Sequence, residues 1–445
     1  MTKTILLLNQ PPTNKQMYVN VLPPLGMLWL ASYLKSKGIK VNAIDGNVDT
    51  FEEKILYDYD IIAMSVGMAN IQKTIETVKS VKKNSPEKIF VGGGVYASQD
   101  PAYLLNNGFD AVAVGEAEET FYEYLTRSDK ENIKGLHILK DGKPYFTGIR
   151  KEVENLDELP FPALEFVNIK KYKNPMSKKS PLCTIMTSRG CPHECTYCFH
   201  NRNHRARSPE NVVDEIEWQV NKFGIKEILI IDDNFTLNLN RAERICDLII
   251  ERNIKVTMQC WGGLRVDRIT RHILEKMKQA GVWLVAIAPE TGSQDTLDRV
   301  KKKFTIEQVK QARQWCREVG LKTYSFFMVG FPWENKELIQ KTLDFAYELD
   351  SEFTQFSRVY PMLGTELYEQ IKDKFQIRRD DKGFFYGDSN IPLKGMTKGE
   401  VEKMIRTGYR RMYLNPRRIL QLLFTLKPTN LFDLFRYSIY TRSMG

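Results

Sequence analysis

Short β-branched runs alternate with amphipathic stretches along most of this chain, a pattern that confines it to parallel sheets wrapped by helices. In its first part Thr4–Leu8, Lys40–Asp45, Ile61–Ser65, Lys88–Gly92 and Ala111–Val114 read as strands, and Leu25–Lys37, Ile71–Lys83 and Glu116–Arg127 carry apolar residues at helical spacing. Such a series predicts a doubly wound, flavodoxin-like α/β sheet, whose ligands bind at the carboxyl ends of the strands. Gly67, the triplet Gly92-Gly93-Gly94 and Gly115 each fall at such an end. A missing Cβ there lets a ligand approach the backbone, although glycines after strands also simply make turns.

A hairpin around Asp141-Gly142 and a proline-containing acidic segment from Asn155 to Pro162 separate this region from a second alternating one. There Cys183–Ser188, Glu227–Ile231, Lys255–Cys260, Trp283–Ile287, Thr323–Val329 and Phe353–Tyr360 read as strands, with helices such as Ala242–Arg252, Thr270–Ala280, Thr305–Val319 and Lys336–Leu349 between them. These units predict a partial (β/α)6 barrel with its chemistry at the carboxyl ends of the strands. The expected domains are a Rossmann-like sheet over 1–133, a hairpin and linker over 134–180, the partial barrel over 181–375 and a basic helical region over 376–445.

The first barrel strand leads into Thr187-Ser-Arg-Gly-Cys191-Pro-His-Glu-Cys195-Thr-Tyr-Cys198. Thiolates at this spacing suit an iron-sulfur cluster or zinc. On a four-iron cluster, three cysteines leave one iron open to a small molecule. Zinc would need a fourth ligand, for which His193, His200 and His204 are at hand, but zinc motifs usually bring their ligands as two separated pairs. The cysteines number 7, an odd count, and three of them lie together, which argues against a secreted disulfide framework and for a metal in a reducing compartment. Cys183, Cys246, Cys260 and Cys316 fall inside predicted strands or helices and read as small packed hydrophobes. No uncharged apolar run approaches the roughly 18 to 20 residues of a membrane-spanning helix, and Met1 to Leu8 has no signal-peptide pattern, so a cytoplasmic protein is expected.

The cysteine loop resembles that of the radical S-adenosylmethionine superfamily, whose signature is this spacing with an aromatic residue, here Tyr197, before the last cysteine. The resemblance covers approximately Leu182 to Tyr360. It implies a [4Fe-4S] cluster on Cys191, Cys195 and Cys198, chelation of the open iron by the methionine end of S-adenosylmethionine, and reductive cleavage to a 5′-deoxyadenosyl radical. By position it implies Tyr197 against the adenine, Asp232 and Asp233 with Asn234 near the methionine amine, Glu290 of Pro-Glu-Thr-Gly-Ser293 at the ribose, and Gly330 with Pro332 near the adenine. The usual Gly-Gly-Glu is absent, so Asp232 and Asp233 match by position only, and the competing reading is that they merely cap the following helix. The competing reading of Glu290 is a surface acid in a turn, but an acid at a strand's carboxyl end beside Gly292 is well placed for a hydroxyl.

The amino-terminal region in turn resembles the cobalamin-binding domain found ahead of many radical S-adenosylmethionine enzymes. The likeness rests on Pro-Pro-Leu-Gly26 before the first helix, on Gly92, Gly93 and Gly94, on Gly115-Glu-Ala-Glu-Glu-Thr120, and on the linker Leu159-Pro-Phe-Pro162. It implies cobalamin on the carboxyl edge of the sheet. Many cobalamin proteins supply an axial histidine from Asp-x-His-x-x-Gly, but this loop reads Asp45-Gly-Asn47 and the one histidine before the linker is His137. Binding without a protein histidine on cobalt is therefore expected. A nucleotide or flavin domain, or a sheet without ligand, is the competing reading.

The formal charge of +10 is concentrated late, and from Lys398 to Gly445 ten Lys or Arg stand against three Asp or Glu. Arg406, Arg410, Arg411, Arg417 and Arg418 accompany the apolar clusters Ile419–Phe424 and Leu431–Phe435, with Pro416 and Pro428 where helices could start or stop. These read either as amphipathic helices in peripheral contact with an anionic membrane or as a cap on the barrel. No recognised module points to nucleic acid.

Together the two resemblances imply methyl transfer through cobalamin to an unactivated carbon, or to phosphorus, of a small-molecule, lipid or tetrapyrrole substrate, with a reductase such as flavodoxin or ferredoxin as electron donor. The same pair of domains supports oxidative cyclisation or rearrangement. A non-catalytic cobalamin or redox sensor would have little use for Tyr197, Asp232 and Glu290. A methylthiotransferase acting on transfer RNA would carry three more cysteines in its first domain, and none precedes Cys183 here. Trp261, Met328, Trp333 and Tyr360 either line a substrate pocket or pack the barrel.

Overall fold

The computed structural model describes residues 3–12, 21–199, 201–377 and 391–425, with 421–425 as backbone alone. His200, Pro428 and the Leu431–Phe435 cluster lie outside the described residues. The chain divides into two compact units, one within Met1–Tyr172 and one from Lys173 to Ile377 that includes the described residues after 390.

In the first unit β1 (Ile5–Asn9), β2 (Asn42–Asp45), β3 (Ile61–Ser65), β4 (Ile89–Gly93) and β5 (Ala111–Ala113) pair in parallel in the order β2-β1-β3-β4-β5. That is the flavodoxin-like order expected from the sequence. Its helices are α1 (Leu25–Ser36), α2 (Ile71–Asn84), α3 (Val95–Gln99), α4 (Pro101–Leu105) and α5 (Glu118–Thr126). Leu6 and Leu8 of β1 are buried with Ile62, Phe90 and Val112, and α2 adds Ile71, Ile75, Val78 and Val81, the helical-period stripe read from the sequence. The hairpin, assigned by sequence to the connecting segment, instead extends the sheet. Its strands β6 (Leu136–Lys140) and β7 (Lys143–Phe146) follow β5 antiparallel, across a turn in which Asp141 and Gly142 both take positive φ, 51° and 73°. The proline segment lies along α1, where Ser32 Oγ donates to Phe161 O (2.6 Å) and Ala163 N to Leu28 O (3.1 Å).

The second unit is a sheet of β8 (Leu182–Ile185), β11 (Glu227–Ile230), β12 (Thr257–Leu264), β13 (Val282–Glu290), β14 (Lys322–Val329) and β15 (Phe353–Arg358), parallel throughout and in chain order, as an open barrel requires. A short antiparallel pair, β9 (Ser188–Arg189) with β10 (Arg205–Ala206), brackets the cysteine loop. The connecting helices are α6 (Pro209–Phe223), α7 (Leu239–Glu251), α8 (Arg271–Gln279), α9 (Gln294–Arg299), α10 (Ile306–Val319), α11 (Lys336–Leu349) and α12 (Glu366–Ile371). Local sequence sets their ends. Ser208 caps α6 by accepting from Asn211 N, Pro209 occupies its first turn, and Gly224 closes it in the left-handed region at φ 66°.

The basic carboxyl-terminal region contributes α13 (Lys398–Tyr413) and α14 (Pro416–Thr425). The α13 helix covers the edge strand β15. Thr354 N donates to the Tyr413 hydroxyl (2.7 Å) and Phe356 N to the Tyr409 hydroxyl (2.9 Å), so edge amides that would face water are satisfied by side chains. Arg411 pairs with Asp344 and Arg418 with Asp350. Among the described residues no helix is long and apolar enough to cross a membrane.

Candidate functional site

The cysteine loop is held by groups that precede and follow it. Asp232, buried just past the end of β11, accepts from Thr187 N (2.5 Å), Thr187 Oγ1 and Ser188 Oγ (2.6 Å). Arg241 donates to Thr187 O (2.6 Å) and to Arg207 O (2.7 Å), while Arg207 forms a buried ion pair with Glu215. Further along, Cys191 N donates to Asn201 O (2.8 Å), Thr196 N to Val300 O (3.2 Å), and Leu367 N to Thr196 O (2.8 Å). The loop is thus fixed to β11, α7, α9 and α12.

Cys191, Cys195 and Cys198 lie on this loop and form no disulfide. Burial pushes the Cys191 thiol up, and pushes that of Cys198 up to about 12. Coordination reverses this, because a bound metal deprotonates its thiol ligands. Among the described residues no three His, Cys, Asp or Glu side chains share one ion-sized site. A four-iron cluster, which takes one thiolate on each of separate irons, asks for a wider spread than zinc does. The donor set of three soft thiols fits such a cluster. His193 is held neutral, its pKa lowered to about 4 by burial and by Arg265.

At the end of β11 the structure separates three neighbours that the sequence presents together. Both oxygens of Asp232 serve the loop, Asp233 is exposed, and Asn234 is 1% exposed with neither Oδ1 nor Nδ2 bonded within the protein. A buried amide with unmet hydrogen-bonding capacity is the group here most in need of a ligand. Gly262 makes this arrangement possible. A Cβ on it would stand 1.5 Å from Asp232 O, so only glycine lets β12 pass so close to β11.

Strand β13 runs to Glu290, which adopts a left-handed φ of 65° and turns its carboxylate inward. Lys302 Nζ donates to Glu290 Oε1 (2.6 Å) and the Tyr197 hydroxyl donates to the same oxygen (2.8 Å). Glu290 is therefore no surface acid. Burial works against the Lys302 charge, but Glu290 beside it prevails and raises its pKa, and burial likewise lifts that of Tyr197. Arg265 donates to Lys302 O (2.7 Å) and braces the turn. Lys302 and Arg265 were not among the residues singled out from sequence. The only local signal is for Arg265, which directly follows β12; Lys302 comes after α9, and nothing near it in the sequence marks it.

Gly330 follows β14 at φ 92°, with open space where a Cβ would lie. Its N–H and that of Phe331 donate to Glu334 Oε2 at 2.7 and 3.1 Å. Glu334 is fully buried with Oε1 unbonded, and burial pushes its carboxyl up to about 7. Trp261 packs with Tyr324 and Phe326 inside the barrel, whereas Met328, Trp333 and Tyr360 belong to a second cluster, in which Trp333 stacks on Phe331 (5.2 Å) and Tyr360 meets Phe375 (5.7 Å).

In the first unit the candidate glycines do not share one environment. Gly93, Gly94 and Gly115 end β4 and β5 and are partly or fully exposed, Gly67 ends the adjacent β3, and Gly26 lies exposed in the first turn of α1. A Cβ on Gly26, Gly93 or Gly115 would meet nothing. Gly92 instead faces the core, where a Cβ would stand 3.1 Å from Leu104 and 3.4 Å from Phe109. The open glycines form a cradle along one edge of the sheet, which suits a large flat ligand. On the neighbouring loop Asp45 is buried, accepting from Asn9 Nδ2 (2.9 Å), Asn47 N (3.1 Å) and the Tyr172 hydroxyl (2.8 Å). His137 lies within β6, stacked on Phe146.

Residues 185–346 match the model of the radical SAM superfamily, and residues 17–125 match that of the B12 binding domain. An uncharacterized methyltransferase of Pyrococcus horikoshii is 30% identical over 94% of this chain and 94% of its own. The anaerobic magnesium-protoporphyrin IX monomethyl ester cyclase of Rubrivivax gelatinosus is 28% identical over 88% of this chain and 74% of its own. Among solved structures, the radical S-adenosylmethionine methyltransferase TsrM from Kitasatospora setae, with cobalamin and a [4Fe-4S] cluster bound, shares the fold. Its TM-score is 0.71, with 16% identity over 97% of this chain and 90% of that one.

Proposed function

The chain belongs to the radical SAM superfamily, among members that carry a B12-binding domain, and from that premise we propose that it methylates an unactivated carbon or phosphorus of a small-molecule, lipid or tetrapyrrole substrate. It is a cobalamin-dependent radical S-adenosylmethionine enzyme, and its cofactors are a [4Fe-4S] cluster, S-adenosylmethionine and cobalamin. When bound, these supply the electron that cleaves the sulfonium, the radical that activates the substrate, and the carrier of the methyl group.

The protein's part in this reading is positioning. Cys191, Cys195 and Cys198 would hold the cluster on a loop fixed by Asp232, Arg207 and Arg241. Glu290, oriented by Lys302 and Tyr197, offers a fixed acceptor for a ribose hydroxyl. Asn234 offers an amide to the methionine end, and Gly330 leaves backbone open to the adenine. Gly67, Gly93 and Gly115 leave the edge of the first sheet open to cobalamin, and Gly94, where a Cβ would stand 3.1 Å from Val66 O, keeps the turn between them tight. The observation that carries the reading is the Glu290–Lys302–Tyr197 group, a buried polar constellation with a common focus in the same unit as the three thiols.

The test follows the methyl group. Anaerobic reaction with methyl-labelled S-adenosylmethionine, a reductase such as flavodoxin or ferredoxin, and extracts of cells lacking the protein should place label in a new product alongside 5′-deoxyadenosine. Deoxyadenosine with no labelled product would favour the second reading, an oxidative cyclisation or rearrangement, which the likeness to a cyclase over 88% of the chain supports. A peripheral contact of α14 with the inner face of an anionic membrane is also proposed, supported by exposed Leu414, Ile419 and Leu420 beside Arg417. Absence of cosedimentation with anionic liposomes would remove it.

A further inference from the structure

The inner face of the barrel indicates what kind of molecule reacts there. Phe327 of β14 packs outward on Phe345 of α11 (6.1 Å between ring centroids), and Phe356 of β15 on Tyr409 of α13 (5.2 Å). Side chains alternate along a strand, so Phe326, Met328, Gln355 and Ser357 turn inward. The burial pattern agrees: Phe327, Val329 and Phe356 are buried, whereas Phe326, Met328, Gln355 and Ser357 retain access to solvent. Trp261 of β12 joins them, edge-on to Tyr324 at 5.7 Å, and Tyr324 in turn lies 4.4 Å from Phe326.

This interior has a built floor. Gln259 Nε2 and Trp283 Nε1 both donate to Glu227 Oε1, at 2.6 and 2.9 Å, and Gln259 also reaches Met176 O (3.3 Å). Met176 packs with Trp283, Leu284 and Tyr324 and closes the space at the amino ends of the strands. The Trp261 indole is fixed from below by Gln259, and the Tyr324 hydroxyl by Gln355, whose amide donates to Ser357 Oγ (3.2 Å). At the level of the floor stand Lys178, over the Trp283 ring (4.1 Å), and Lys322, which shares the Tyr324 face of β14 and pairs with Glu352 (3.6 Å). From Trp261 and Tyr324 up to Glu290 and Lys302 at the rim, the inward positions of the described strands carry no Asp, Glu, Lys, Arg or His. The charged Arg358 at the end of β15 points outward, to Glu402.

We propose that this interior receives an uncharged, flat ring system as the reacting part of the substrate, stacked among Trp261, Tyr324, Phe326 and Met328 and hydrogen-bonded by Gln355 or Ser357. The inference deepens the proposed function and rests on it in taking the barrel as the place of reaction. Preorganised rings favour offset or edge-on contact with a second π-system. An ionised group placed among them would lose its hydration and find no counter-charge. Phosphate, carboxylate or ammonium groups of the substrate must therefore remain at the rim or outside.

The experiment compares two probes of similar ring size on the anaerobically prepared holoenzyme, neutral N-phenyl-1-naphthylamine and anionic 1-anilinonaphthalene-8-sulfonate, by fluorescence titration. The neutral probe should bind saturably with energy transfer from tryptophan, and the anionic one at least about tenfold more weakly. Trp261→Ala and Phe326→Ala should each weaken the neutral probe by about tenfold, the loss of one aromatic contact. Ser357→Asp, at a position open to solvent, should abolish its binding while circular dichroism and corrin absorbance stay unchanged. This variant decides the matter if the aromatic replacements fail to fold. Equal or tighter binding of the anionic probe, or neutral binding indifferent to Ser357→Asp, would overturn the proposal. The readout requires no turnover, so its failure is separate from a failure of methyl transfer.

Discussion

Lys302 and Glu290 meet at 2.6 Å although they lie twelve positions apart on either side of α9, and the Tyr197 hydroxyl donates to the same carboxylate oxygen. Both side chains of the pair are at most 10% exposed. Removing one partner leaves the other buried and unpaired, which costs about 3–5 kcal/mol. Lys302→Met and Glu290→Gln are each expected to lower stability by that order in urea denaturation. The double variant should cost clearly less than the two single losses combined.

Asp232 and Asp233 should respond oppositely to the same change. Asp232→Ala strands the buried donors of Thr187 and Ser188, a loss of about 2–3 kcal/mol, and frees the strand end that leads to Cys191. Iron bound per chain, measured after anaerobic reconstitution, should fall sharply. Asp233→Ala, at an exposed position, should leave both stability and iron content near the parent values.

Glu334 predicts a pH dependence of known sign. Burial raises its carboxyl from the ordinary 4.5 to about 7, so between those values the folded state holds a proton that the unfolded chain has released. Stability from this group is complete below about 4.5 and falls as pH rises to about 7, by about 3 kcal/mol in all. Glu334→Gln, which cannot ionise and keeps an acceptor for Gly330 N and Phe331 N, should flatten that part of the profile. Denaturation of the two proteins at pH 5 and pH 8 measures the difference.

Adjacent glycines in β4 separate fold from ligand. Gly93→Val adds a side chain where a Cβ meets nothing and should leave the melting temperature within a few degrees, yet reduce the cobalamin retained after gel filtration, read by corrin absorbance. Gly92→Val drives into Leu104 and Phe109 and should destabilise by about 1–3 kcal/mol.

Much of the fold could be read in advance because its signals are local. The parallel strands of both sheets and their amphipathic helices follow from hydrophobic period, and the strand order β2-β1-β3-β4-β5 is that of the flavodoxin-like sheet expected for the first region. The hairpin was recognised at Asp141-Gly142, but its pairing with β5 depends on an edge left free by the sheet, which no local pattern announces. The same holds for α13, whose Tyr409 and Tyr413 reach the edge of β15 from more than fifty residues away.

The sequence by itself determined the two alternating domains and the spacing of Cys191, Cys195 and Cys198, since periodicity and covalent spacing are properties of one dimension. Only the tertiary structure decided that Asp232 serves the loop while Asn234 is left unbonded, that Gly92 faces the core while Gly93 is open, and that Lys302 completes the group at Glu290 and Tyr197. Those outcomes depend on which way neighbouring side chains point once distant strands have closed side by side. Residues adjacent in the chain then enter opposite environments, and residues as far apart as 197 and 302 share one oxygen.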